Sequence, residues 1–166
     1  MKNIFKVNGK IDIGSLIISI LISGGLGFIS AIFTVGSSNQ YIQLERPWFA
    51  PPPIVFSIVW PILYLLMAIA AYRIYMIGKE GTNVKGALTL YGIQLILNVL
   101  WSFIFFKFRL YGLAFVELVI LFIFIVLTTI SFFKKDKIAG ILMVPYVLWV
   151  AFAGILNFFI WMLNEM

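Results

Sequence analysis

The side chains in this chain that could do chemistry are indoles, phenols and amides placed inside long apolar runs. Trp60, Trp101 and Trp149, together with Gln94, Asn98 and Asn157, offer flat apolar faces and a few hydrogen-bonding groups, which suits a large planar ligand and not a hydrophilic one. A ligand already dissolved in lipid gains little from moving to an equally apolar pocket. Ring stacking, at roughly 0.5–1.5 kcal/mol per contact, and a few polar contacts must therefore supply selectivity. The chain has no cysteine and no histidine, which excludes disulfides, thiol catalysis, zinc sites and imidazole acid–base chemistry. Haem iron would be left with Met, Tyr or Lys as axial ligands, so no metal site is expected. One carboxylate, Glu117, lies inside an apolar run and is a functional hypothesis by default, but Lys107 and Arg109 are near enough in sequence to favour a structural ion pair.

The elements that must position these groups follow from composition. Of 166 residues, 63% are hydrophobic and 11% charged, against roughly 45–50% and about 25% in soluble domains. The chain is therefore expected to be an integral membrane protein with the lipid bilayer as its solvent, built as a single domain over residues 1–166. Five apolar runs, at about 13–35, 54–77, 84–106, 110–133 and 138–163, are each long enough to span. They predict an all-α, five-transmembrane-helix bundle. The first run exceeds a signal-peptide core, so it is read as a retained helix. The net charge of +6 comes from short basic clusters between the runs, which indicates topology and not a nucleic-acid partner. Nine basic residues, Lys2, Lys6, Lys10, Arg73, Lys79, Lys85, Lys134, Lys135 and Lys137, fall on one side, against Arg46, Lys107 and Arg109 on the other. This bias places the N-terminus in the cytoplasm.

Within the first run, Ser15, Ser19, Ser23, Gly27 and Ala31 recur every four residues, a stripe that permits close helix approach. It serves packing within the chain or, alternatively, a homodimer interface. Residues 36–53 form the only long loop, of the length typical of a lid or binding loop. Pro51, Pro52 and Pro53 stiffen its end. Phe56, Trp60 and Tyr64 then share one face of the second helix, in which Pro61 frees the Ser57 carbonyl, and Arg73 snorkels near its far end. Gln94, Asn98 and Ser102 line a face of the third helix that must look inward, either as interhelical hydrogen-bond glue or as a ligand site. In the fifth helix Trp149, Ala153, Asn157 and Trp161 make a second four-residue stripe, with Trp161 read as an interfacial anchor. Trp60 and Trp149 are expected to face each other across one cavity roofed by the Trp48 to Pro53 loop.

Three stretches carry a resemblance. Arg46-Pro47-Trp48-Phe49-Ala50-Pro51-Pro52 is followed by Phe56, Val59-Trp60 and Tyr64; Asn98 is followed by Trp101-Ser102 and Phe105-Phe106; and Pro145-Tyr146 is followed by Trp149, Ala151-Phe152-Ala153 and Leu156-Asn157. In this order, over about residues 12–162, the chain resembles the translocator protein family, also called tryptophan-rich sensory proteins or TspO/MBR. The resemblance implies binding of porphyrins such as protoporphyrin IX, with sterols bound by some members and benzodiazepine-site ligands held under the first loop. Trp60, Asn98, Trp101, Trp149 and Ala153 match that pocket by position. Trp48, Pro52, Phe56 and Tyr64, with Gln94, Tyr146 and Asn157, complete the candidate ligand-binding set. The sterol-associated motif needs a Tyr followed by Lys or Arg, and no basic residue follows Lys137, which argues against cholesterol. The function implied is porphyrin binding with a sensory or transport role in a bacterial cell membrane. The alternatives are a light- and oxygen-dependent porphyrin-degrading enzyme, which would consume its ligand and for which the resemblance implies tryptophans, here Trp60 or Trp149, as redox participants, and a structural membrane subunit without a ligand.

Overall fold

The computed structural model describes residues 3–34 and 36–166. Lys2 of the charge count and Val35, the expected end of the first span, lie outside them. Among the described residues, five helices are long and apolar enough to cross a membrane. These are α1 (Ile13–Phe33), α3 (Pro53–Lys79), α4 (Lys85–Ser102, extended by a π-turn over Phe103–Lys107), α5 (Tyr111–Lys135) and α6 (Lys137–Asn164). With mean hydropathies of 1.7 to 2.8, they make a multi-pass membrane protein of the expected all-α, five-span class. The difference lies in the loop, where a short helix, α2 (Ser37–Gln43), interrupts it.

The spans form a ring in the order α1, α3, α6, α5, α4, closed by α4 against α1. The stripe on α1 is used within the chain. The Ser19 hydroxyl donates to the Ala68 carbonyl of α3 at 2.7 Å, and Ser23 pairs with the Tyr91 hydroxyl of α4 at 2.5 Å. A Cβ at Gly27 would lie 2.6 Å from the Tyr64 ring, so only glycine allows α1 to approach α3 this closely. Trp161 packs on α5, stacked on Phe115 at 5.9 Å and pressed against Gly112, where a Cβ would lie 2.5 Å from its indole nitrogen. Beyond an interfacial anchor, it is a helix-packing residue.

At the N-terminal end of the bundle, Asn8 and Gly9 both have positive φ, 47° and 84°, which turns the chain tightly so that Val7 and Lys10 pair. Val7 is buried against Tyr72 and Met76, and Asn8 donates to Glu80. Arg73 does not snorkel: it is 5% exposed and holds Asp136 through Nε at 3.0 Å and Nη2 at 2.6 Å. Its Nη1 donates to the carbonyls of Ile4 and Lys6. Asp136 also caps α6 by accepting from the Ile138 and Ala139 amides, so one ion pair joins three segments.

Glu117 corrects another expectation. It faces the interior with Ala114, Leu118 and Leu121, and neither carboxyl oxygen has a hydrogen-bond partner among the described residues. The Lys107 ammonium instead lies over the Phe33 and Phe103 rings, at 5.5 and 5.9 Å, and Arg109 is exposed in the turn with φ 57°. The π-turn ends at Lys107 and the positive φ of Arg109 then reverses the chain, so both bases stay at the end of the bundle while Glu117 lies inside α5, past its first turn.

Candidate functional site

The interior between α1, α3, α4 and α6 is not filled by side chains. A cavity of about 570 Å³ lies there, within the membrane span and toward the loop end. Helix α3 contributes Phe56, Trp60 and Tyr64 from one face, as their four-residue spacing requires. Helix α4 contributes Asn98 and Trp101, and the π-turn adds Phe105. From α6 come Ala153 and Asn157. Phe108 N–H bonds to the Phe103 carbonyl across the π-turn at 3.0 Å. This looser winding brings Phe105 and Phe106 to the wall.

The amides are braced by the protein itself. The Tyr64 hydroxyl donates to Asn98 Oδ1 at 2.6 Å, Asn98 Nδ2 donates to the Tyr146 hydroxyl at 2.7 Å, and Tyr146 donates to Gln94 Oε1 at 2.9 Å. Trp101 Nε1 donates to Asn157 Oδ1 at 3.0 Å, and Asn157 Nδ2 donates to the Tyr111 carbonyl at 2.9 Å. These bonds link α3, α4, α5 and α6 and hold the wall rigid, as buried polar groups in hydrocarbon require. Asn98 still has a second amide hydrogen, since each amide nitrogen carries two.

The candidate set therefore divides. Phe56, Trp60, Tyr64, Asn98, Trp101, Ala153 and Asn157 border the cavity. Gln94 and Tyr146 are buried behind it as braces. Trp149 packs edge-on against Phe56 at 5.7 Å and tilted against Phe152 at 5.6 Å, so Phe56 stands where the second indole was expected. Trp48 is 96% exposed, and Pro52 is exposed next to Pro53, which does reach the cavity.

The roof is made chiefly by α2. Tyr41 is buried, borders the cavity, packs on Phe56 at 5.4 Å and donates to the Pro51 carbonyl at 3.1 Å. Burial pushes its phenol above the ordinary value, only partly offset by the Arg46 guanidinium 4.9 Å from the ring, so it remains a neutral donor at physiological pH. Tyr41 escaped the sequence reading, and so did a second residue. Ser30 on α1 borders the cavity, is 7% exposed, and its hydroxyl has no hydrogen-bond partner among the described residues. The readable signal was its spacing of seven from Ser23, since both are buried on the same face.

Fold and cavity together define a class: a multi-pass helical membrane protein with an aromatic-walled cavity inside the span, under a folded loop. Within that class, residues 18–162 match the TspO/MBR family, and the chain belongs to it. It is 39% identical over 140 residues to the tryptophan-rich protein TspO of Chlorobaculum tepidum, covering 84% of this chain and 89% of that one. It is 36% identical over 138 residues to the protein CrtK of Rhodobacter capsulatus, covering 83% and 85% of the two chains. Similarity extends to the translocator protein of Bos taurus, at 33% over 141 residues, covering 84% and 83%.

Proposed function

We propose that this protein binds a planar lipophilic ligand of the porphyrin class, such as protoporphyrin IX, in the cavity beneath the loop, and does so in a sensory or transport role. The cavity is the observation that supports this most. Its volume, about 570 Å³, falls in the range of small-molecule sites, roughly 300–1,000 Å³. Its aromatic faces can stack on a flat ring system, and its unused polar groups are few. The Ser30 hydroxyl, buried and without a hydrogen bond among the described residues, borders the cavity and can donate to a carbonyl or carboxylate on the ligand's edge. The names of the relatives, sensory and translocator proteins, agree with such a role. The charge bias further supports a cytoplasmic N-terminus, with the roof over the cavity facing away from the cytoplasm.

The test is a protoporphyrin IX titration of the protein in lipid vesicles, in the dark, read by Soret absorbance. Saturable binding is expected. Ser30→Ala should weaken it by about 1–1.5 kcal/mol, roughly ten-fold, because it removes one hydrogen bond. Thermal stability should change little, since that hydroxyl makes no hydrogen bond among the described residues. A wild type without saturable binding would favour the structural-subunit alternative.

A further inference from the structure

Building on that reading of the cavity as a ligand site, we propose that the ligand reaches it sideways from the bilayer, through the seam between α1 and α3, and not past the roof. Helix α1 is the least embedded span: 11% of the residues in its most apolar stretch are buried, against 39% in each of the others. It touches α3 at Ser19 and Gly27. The cavity residues within the span that are also exposed all belong to these two helices, namely Ile20, Gly24, Phe28 and Ala31 on α1 and Ser57, Pro61 and Leu65 on α3. Every cavity residue contributed by α4, the π-turn and α6 is buried or half-buried. Among the described residues, the α1–α3 seam is therefore where the cavity meets lipid. Pro61 lacks an N–H, so the Ser57 carbonyl is left at this mouth as an acceptor without its helical partner.

The roof, by contrast, is tied down. The Glu45 amide donates to Asn164 Oδ1 at 3.1 Å, and Asn164 Nδ2 donates back to the Glu45 carbonyl at 2.9 Å. Tyr41 holds the Pro51 carbonyl at 3.1 Å, and Phe49 packs edge-on against Phe159 at 5.5 Å and Phe152 at 6.3 Å. A membrane-dissolved ligand that used the seam would never have to cross water, and the roof could stay closed.

Gly24 offers a clean perturbation, because a Cβ there meets no atom within 4 Å. Gly24→Phe should fill the mouth without disturbing the helix packing, and Leu65→Trp, at a position 48% exposed, narrows it from the other side in case the first variant fails to fold. Each variant would be reconstituted in phosphatidylcholine vesicles and mixed by stopped flow with vesicles carrying protoporphyrin IX. Uptake would be followed by tryptophan quenching and the equilibrium Kd by Soret absorbance. Uptake should slow by about ten-fold or more, and release from the loaded variants should slow with it, since both use the same passage; a change in Kd with wild-type uptake would count against the route. A Glu45→Cys, Asn164→Cys disulfide across the roof should leave the uptake rate unchanged. Wild-type uptake rates in folded Gly24→Phe and Leu65→Trp, or slow uptake caused by the roof disulfide, would overturn the lateral route. A wild type with no equilibrium binding would sink the ligand-site reading and the route with it.

Discussion

Replacing each of two tryptophans in turn distinguishes the ring that borders the cavity from the ring that only supports it. Trp60 lies on the cavity wall, steadied by Tyr64 at 5.8 Å and Tyr146 at 6.4 Å, and it can offer a face to a planar ligand. Removing one stacking ring costs about 1–3 kcal/mol, by analogy with bases stacked on aromatic side chains. At 1.4 kcal/mol per factor of ten, Trp60→Ala should weaken protoporphyrin IX binding about 5- to 150-fold. Trp60→Phe keeps a smaller ring and should fall between that and wild type. Trp149 is not among the residues that border the cavity and packs edge-on against Phe56, which is. Its removal acts by loosening that neighbour, so Trp149→Ala should cost under about 1 kcal/mol, or less than about five-fold. Because removing an indole also removes quenching signal, affinities should be read by Soret absorbance and equilibrium dialysis, with far-UV circular dichroism confirming the fold. An equal or larger loss in a folded Trp149→Ala variant would refute this reasoning and restore the two-indole clamp.

Three other predictions follow from particular groups. Glu117 is 6% exposed with both oxygens unpaired, and a buried polar group without partners is destabilising by about 1–3 kcal/mol. Glu117→Leu should therefore raise thermal stability in detergent and leave porphyrin affinity unchanged; a lower melting temperature would reveal a partner for this carboxyl. The Asp12 carboxyl is held well below its usual range by the Lys79 ammonium and by the Ser15 amide and hydroxyl. A depressed folded pKa adds stability above the unfolded value, about 4, that is lost as pH falls through the folded one. Asp12→Asn should therefore lower thermal stability at pH 7, and the difference from wild type should shrink below about pH 4; a gap independent of pH would contradict this. For orientation, single cysteines at Ser38 and Lys135 can be labelled cleanly, since no native cysteine competes. An impermeant thiol reagent on whole cells should modify Ser38→Cys and spare Lys135→Cys, and the reverse pattern would invert the topology.

The five spans were legible because hydrocarbon leaves a chain so few options: long apolar runs must become helices whose backbone satisfies itself. For the same reason Asn98, Trp101 and Asn157 could be assigned an inward face, since polar groups at that depth need partners, and the structure supplies them. Helix α2 was not legible, because Ser37–Gln43 is only seven residues long and polar, too short for an apolar period to register. Ser30 was missed through helical drift. A four-residue stripe advances about 40° per step, so the series from Ser23 through Gly27 to Ala31 rotates off the buried face of Ser23 until Ala31 is exposed, whereas seven residues nearly complete two turns and bring Ser30 back under Ser23. The Glu117 pairing failed on the π-turn at Phe103–Lys107, a change of winding that no apolar pattern announces. Trp149 was misjudged as a second cavity wall for a related reason. Periodicity gives the face of a helix, and it cannot say that Phe56 from another helix fills the space in front.

The claim that the cavity itself is the ligand site is tested most directly by filling it. Ala153 is 8% exposed and borders the empty space from α6, so a larger side chain there extends into the cavity and not into packed helix. Protoporphyrin IX titrations of wild type and Ala153→Leu in the same vesicles, in the dark, should show saturable binding in the first and at least about ten-fold weaker binding in the second, at matched thermal stability. Equal affinity in a folded Ala153→Leu would place the ligand elsewhere and contradict the assignment.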